Sequence, residues 1–230
     1  MESLESDLER ARALEVEQLA AAIESIGFEC TRCGACCRRE SSSDGASTDE
    51  SDDRAHTATV FPDEIRRLGR AADGAEWRDV ARPMPYGLRT DETGKLAGET
   101  FEWALQTDAC GDCTFYAEAD DGTGRCTVHD DRPLICRTYP FSVALAGTNQ
   151  PMGEPVDFEG IVRAHECEGL GRDISRADAE ALARELKSRA ITELEEAVAV
   201  RDAYEPADPA PGEIVVHDSE GAKRPDGTSR

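Results

Sequence analysis

Residues 30–37 read CTRCGACC: four cysteines in eight positions, two of them adjacent. Five more follow at Cys110, Cys113, Cys126, Cys136 and Cys167. Thiols at this density serve as disulfides, a redox pair, a zinc site or an iron–sulfur cluster. Cys30, Cys33 and Cys36 recur every three residues, so a loop that curls once points three sulfurs at one centre. Structural zinc sites usually draw their ligands as two C-x-x-C pairs from separate segments. A three-fold run is more typical of iron–sulfur ligation, with a fourth thiolate arriving from elsewhere. Adjacent side chains diverge, so Cys37 joins a different centre, or the first one only through a special backbone geometry.

The surrounding composition narrows the choice. The N-terminal MESLESDLERAR lacks the basic-then-apolar order of a secretory signal, and no apolar run approaches the length of a membrane span. The expectation is a soluble, cytoplasmic chain without membrane contact. In that compartment clustered cysteines bind metal or do redox chemistry more often than they form bridges. The odd count of nine points the same way. Among 230 residues, 49 are acidic and 26 basic, for a net charge of -23, and only Lys95, Lys187 and Lys223 are lysine. The acids are spread along the whole chain, which reads as a halophile's means of staying dispersed in salt rather than as one partner-binding face. With no basic stripe to neutralise phosphates, a nucleic-acid role is excluded.

Residues 3–27 carry a helical apolar stripe (Leu4, Leu8, Ala11, Leu14, Leu19, Ile23, Ile26), with Gly27 placed to end it. Residues 40–53, ESSSDGASTDESDD, have nothing to bury and read as an acidic surface insertion. ATVFPDEIRRLGRAA predicts a short extended piece and then a helix opened by Pro62. TFEWALQ alternates Phe101, Trp103 and Leu105 with polar neighbours, and the DETG turn before it suggests a hairpin. SVALAG, from Ser142, predicts another short strand. Ser175 with Asp178 resembles a capping box that opens a long helix, or a broken pair, reaching Tyr204. Residues 205–230 read as a disordered tail in which EIVV makes at most a small strand. Trp77 and Trp103 read as core residues. The whole predicts a small α+β domain over residues 1–204, irregular and metal-stapled at its centre, with a helix flanking each side and few short strands.

The later cysteines lie in CGDCTFY, GRCTVHDDRPLICRTYPF and HECEG, where Gly and Asp let the backbone turn tightly near sulfur. Arg32, Arg38, Arg39, Arg125, Arg132 and Arg137 gather near the thiols, where cations favour thiolate over thiol. In these blocks the chain resembles the YkgJ-type cysteine-cluster family, a zinc- or iron-chelating domain. Its pattern runs through Cys30 to Cys37, then Cys113 with Phe115, then Cys126 through Phe141, then Cys167 with Gly169, and covers residues 28–170. The resemblance implies that Cys30, Cys33, Cys36, Cys37, Cys113, Cys126, Cys136 and Cys167 are metal ligands. Eight thiols suit two four-thiolate centres or one larger shared site. His129 stands where the family carries tyrosine, and Cys110 falls outside the pattern.

His129 and His165 lie close to Cys126 and Cys167 and are candidates for a mixed site, whereas His56 and His217 read as solvated. Arg132 and Arg137 are expected to hydrogen-bond to sulfur, to bind an anionic substrate, or to join the loop to a carboxylate such as Asp130 or Asp131. Tyr139-Pro140-Phe141 is expected to roof the metal region. A thioredoxin-like role for Cys110-Gly-Asp-Cys113 needs a helix that TFYAEADDGTG does not offer. Three functions remain: an iron–sulfur protein carrying a [4Fe–4S] cluster and serving electron transfer or an oxidoreductase reaction with an unknown redox partner or substrate; a zinc-binding structural or metal-handling module; and a thiol redox or modifying enzyme without permanent metal.

Overall fold

The five-residue step from Leu14 to Leu19 in the N-terminal stripe is a break. In the computed structural model, which describes residues 3–39, 55–90, 94–145, 155–157 and 160–230, that segment forms two helices, α1 (Leu4–Ala13) and α2 (Val16–Ile26). Ser3 caps α1 by accepting from the Ser6 N–H at 3.2 Å, with Glu5 and Asp7 in the first turn and Arg10 and Arg12 in the last, the arrangement that suits the helix dipole. The acidic insertion at 40–53 lies outside the described residues.

Next come β1 (Thr59–Val60), α3 (Pro62–Ala71), the single turn α4 (Trp77–Val80) and four strands: β2 (Ala81–Pro83), β3 (Leu88–Thr90), β4 (Leu96–Thr100) and β5 (Trp103–Leu105). Pro62 does open α3. A hairpin does form, but between β3 and β4, whereas β5 leaves it and is hydrogen-bonded between β1 and β2. The short hairpin of β6 (Tyr116–Glu118) and β7 (Gly124–Cys126) precedes α5 (Leu134–Thr138), followed by β8 (Phe141–Val143), β9 (Pro155–Asp157) and β10 (Val162–His165) in a second three-stranded sheet, order β8-β10-β9.

One unbroken helix, α6 (Arg176–Ala203), follows. Ser175 caps it by accepting from the Asp178 N–H at 3.1 Å. The last segment, expected as a tail, instead folds back as β11 (Ile214–Asp218) and β12 (Gly221–Lys223). β11 lies between β12 and β4, parallel to β4, with Val215 and Val216 fully buried. The apolar run Ile214-Val215-Val216 supplied that strand, and the flanking Pro, Gly and Asp only mark its turns. The fold is thus α+β as expected, with more strands than foreseen.

The helices do not flank opposite sides. α1 and α2 both pack on α6, and their shared core, with Leu19, Ile23, Leu186 and Leu194 nearly or fully buried, continues onto Phe141, Val162 and Ala164 of the β8–β10 pair. Buried alanines (Ala11, Ala20, Ala179, Ala183, Ala190) let these helices approach closely. Arg189, buried within this layer, binds Glu193 at 2.7 Å and donates to Thr138 Oγ1 and Phe141 O at 3.1 and 3.2 Å, locking α6 to α5 and β8. A second core gathers Val60, Ile65, Leu68, Val80, Trp103, Leu105 and Val216. Trp77 meets Trp103 edge-on at 5.1 Å. Cys37, Cys113, Cys126 and Cys136 belong to this same core, so the thiol region forms one of its walls.

Candidate metal centre

Backbone pairing draws the cysteine segments together. At the end of α2, Gly27 O accepts from the Gly171 N–H and the Glu29 N–H donates to Gly169 O, both at 3.0 Å, with Phe28 and Leu170 bridged between them. This short ladder sets Cys30 beside Cys167, and Thr31 Oγ1 reinforces it by donating to Glu168. A Cβ on Gly169 would lie 2.3 Å from Glu29 O, so only glycine permits the approach.

The loop then crosses the β6–β7 hairpin. Arg32 O accepts from the Gly124 N–H at 2.7 Å, and Cys37 O accepts from the Cys113 N–H at 2.8 Å. Gly34 takes a left-handed conformation (φ +78°) against the Tyr116 ring, where a Cβ would stand 2.4 Å from Oη. The turn it allows is a 3-10 helix over Ala35–Cys37. This is the special geometry foreseen for adjacent cysteines: Cys36 Sγ and Cys37 Sγ come within 3.9 Å instead of diverging.

Electrostatic coupling divides the other thiols into two sets that share Cys36. Cys30 and Cys33 act electrostatically on Cys167, as does Cys36. Cys113, Cys126 and Cys136 form the other group, and each of them also feels Cys36. The contact with Cys37, and then burial, raise the Cys36 thiol far above the ordinary range. Burial, with Cys126 and Cys36 adding to it, pushes Cys113 up to about 11. Cys126, Cys136 and Cys167 are raised too, burial being the largest cause in each. In the metal-free protein such thiols hold their protons, because burial, and then the neighbouring sulfurs, disfavour the charged form.

The polypeptide supplies some of the compensation that thiolates need. Each of three cysteines accepts from the backbone N–H two residues on: Cys113 from Phe115, Cys126 from Val128 and Cys167 from Gly169, the last at 3.4 Å. Arg132 lowers both Cys36 and Cys126. Arg137 does not serve the thiols in this way. Its guanidinium pairs with Glu185 of α6 at 3.3 Å, so neither Asp130 nor Asp131 is its carboxylate. Arg132 Nε donates to His129 O at 2.9 Å.

The remaining expectations divide. Tyr139 lies by Cys33, Cys36 and Cys167, which raise its phenol further after burial, and its hydroxyl donates to Glu166 O. Phe141 is turned into the helical core instead, edge-on to Phe28 at 5.7 Å. His165 is buried and bonded to Ser142 Oγ at 2.9 Å, and His129 is exposed beside Asp130; neither joins the thiols. His56 and His217, expected in water, are buried. His217 meets Glu99 at 2.7 Å and stacks on Phe101. Cys110 stands apart, exposed on a turn closed by Asp108, which accepts from the Cys110 and Asp112 N–H groups. Glu64, not anticipated, is buried beside Cys136 and caps α5 by accepting from the Leu134 N–H at 2.8 Å. Its placement depends on α3 docking, which no local sequence pattern signals.

Among the described residues, no three thiols, imidazoles or carboxylates stand in the arrangement of one closed ion site. The donor set nonetheless suits a thiophilic ion. All nine cysteines are free thiols, and the 3.9 Å between Cys36 and Cys37 is close to the roughly 3.8 Å edge of a tetrahedron with 2.3 Å metal–sulfur arms.

This is a cysteine-cluster α+β domain built to collect sulfur ligands. The chain belongs to the CxxCxxCC family, described as a "putative zinc- or iron-chelating domain", whose model matches residues 29–168. No curated protein and no solved structure matches it. Among the described residues, no helix is long and apolar enough to cross a membrane.

Proposed function

We propose that the chain is an iron–sulfur protein that passes electrons to or from a redox partner or substrate. The observation that carries this reading is the place of Cys36, in contact with Cys37 and coupled electrostatically both to Cys113, Cys126 and Cys136 and to Cys167, which Cys30 and Cys33 also reach. One group, Cys30, Cys33 and Cys167, and the other, Cys113, Cys126 and Cys136, are each completed to four by one member of that pair. The three-residue spacing of the first run favours iron–sulfur ligation, and a [4Fe–4S] cluster is held by four thiolates.

When bound, such a cluster supplies one-electron transfer. The chain's own residues set its surroundings. The N–H groups of Phe115, Val128 and Gly169, with Arg132, hold negative charge on sulfur, which favours the thiolate form. Tyr139 and the apolar side chains packed about Cys113 limit water on the inner side. Cys30 is exposed, which leaves an edge at which a partner approaches.

A zinc-binding structural or metal-handling module is the second reading. The 3.9 Å sulfur–sulfur spacing favours it, because that is the edge of a site for a single ion. Zinc would staple the loops without redox chemistry. Anaerobic purification with metal and sulfide analysis separates the two. Brown protein with iron and sulfide in similar amounts supports the cluster, and colourless protein with stoichiometric zinc replaces it with the second reading. Metal-free protein that melts cooperatively overturns both and leaves thiol redox chemistry.

A further inference from the structure

On the far side of the second core, between the C-terminal half of α6, the start of α3 and the Phe101–Trp103 segment, lies a cavity of about 190 Å³. Its walls are largely apolar and aromatic, with Trp103 at the base and Phe101, half exposed, at the mouth. Four acidic residues line it, Glu102, Glu193, Glu196 and Asp218, and no lysine or arginine does.

Two of these acids are neutralised from behind. Glu193 binds Arg189 at 2.7 Å, while Asp218 binds Lys223 Nζ at 2.9 Å and accepts from Trp103 Nε1 at 2.8 Å. Glu102 takes part in a hydrogen bond with Thr59. Glu196 differs. Ser219 donates to it, but among the described residues it has no ion pair, and the acids beside it, Asp218, Asp63 and Glu220, hold Lys223 and Arg66 for themselves. Burial, and then those neighbours, push its carboxyl up. A charge kept half-buried without a salt bridge of its own costs stability.

We infer that this cavity is a binding site for a small organic cation, an ammonium group carried on a compact apolar or aromatic body. The ammonium would meet Glu196, and the body would lie along Phe101 and Trp103, whose ring faces attract cations as well as apolar surface. The volume sets the size. It falls below the roughly 300–1,000 Å³ of pockets for drug-sized ligands and holds roughly six water-sized groups. A hydrated divalent ion fits less well, since the walls are mainly apolar and two of the four carboxylates already bind cations. The site is separate from the thiols and does not depend on which metal they take.

The test is calorimetric titration of the full-length protein, as purified, with benzylammonium chloride and with its neutral counterpart benzyl alcohol, at fixed chloride. Benzylammonium is expected to bind saturably and at least tenfold more tightly than the alcohol. Glu196→Gln brings its affinity down to that of the alcohol, yet melts no lower than the parent, because Glu196 has no cation to lose. Ala197→Leu, which keeps every carboxylate but narrows the cavity, abolishes binding of both probes. Metal content is unchanged in either variant. Equal affinity for the two probes, undiminished binding in either variant, or no saturable heat with the parent protein overturns the assignment.

Discussion

Replacing Gly34 with alanine tests how the cysteine loop is held. Two costs follow from its position. A left-handed backbone is unfavourable for a residue with a Cβ by about 1–2 kcal/mol. The added carbon would also stand 2.4 Å from Tyr116 Oη and 2.7 Å from ring carbons, about 1 Å inside ordinary contact. Tyr116 cannot swing away freely, because Arg38 donates to its hydroxyl at 2.7 Å and lies over its ring at 5.3 Å. Losing that cation–ring contact at an exposed site costs about 0.5–1 kcal/mol. The expected total for Gly34→Ala is about 1.5–3 kcal/mol. Gly122→Ala is the control: Gly122 has φ +82° with nothing within 4 Å of an added Cβ, so it pays the backbone cost alone, about 1–2 kcal/mol. Denaturant unfolding of the metal-free, reduced protein measures both. Adding Tyr116→Ala to Gly34→Ala removes the contact and returns part of the loss as a coupling energy of about 1 kcal/mol. Equal costs for Gly34→Ala and Gly122→Ala, or strict additivity with Tyr116→Ala, would refute the idea that the loop is pressed on that ring.

Other outcomes follow from the same geometry. Cys33→Ser lowers both metal content and thermal stability, whereas Cys110→Ser leaves both within error; equal losses would show the ligand set to be drawn wrongly. Because burial and neighbouring sulfurs keep thiols such as Cys113 protonated up to about 11, adding metal to the reduced apo-protein in weak buffer near neutral pH releases protons, and apparent affinity climbs with pH. A pH-independent affinity would contradict this. Burial, and then the Arg82 guanidinium, hold His56 down at about 4, while in the unfolded chain it titrates near 6.5. The unfolded state therefore takes up the proton first, and stability drops as pH falls from about 6.5 to 4, by up to about 3 kcal/mol. His56→Gln should flatten that part of the stability–pH curve, and an unchanged slope would assign it elsewhere.

What could be read from the residues was local. Pro62 opening α3, Ser175 capping α6 and the short strand after Pro140 needed only neighbouring side chains. The division of the first helix was legible as well, in the longer step between Leu14 and Leu19, but a continuous stripe masked it. Long-range pairing was hidden. His217 reads as a polar residue in a Pro- and Asp-rich segment until β11 pairs with β4 and brings Glu99 and Phe101 to it. The eight family cysteines were visible as a set, yet their grouping depends on Gly27–Glu29 meeting Gly169–Gly171, a contact that no spacing rule describes. Arg137 shows the opposite error: its nearness in sequence to Cys136 suggested a role at sulfur, and one helical step turns it toward Glu185 instead.

The placement of β11 has a consequence for biosynthesis. Ile214 is in register with Gly98, 116 positions earlier (214 − 98 = 116). During translation the β3–β4 hairpin therefore emerges long before its parallel neighbour and presents an unpaired edge while everything between is being made. Closing so distant a contact is slow relative to local structure, and an open strand edge invites pairing with other chains. A nascent polypeptide stalled before residue 214 should be more prone to self-association on the ribosome than one stalled after residue 223.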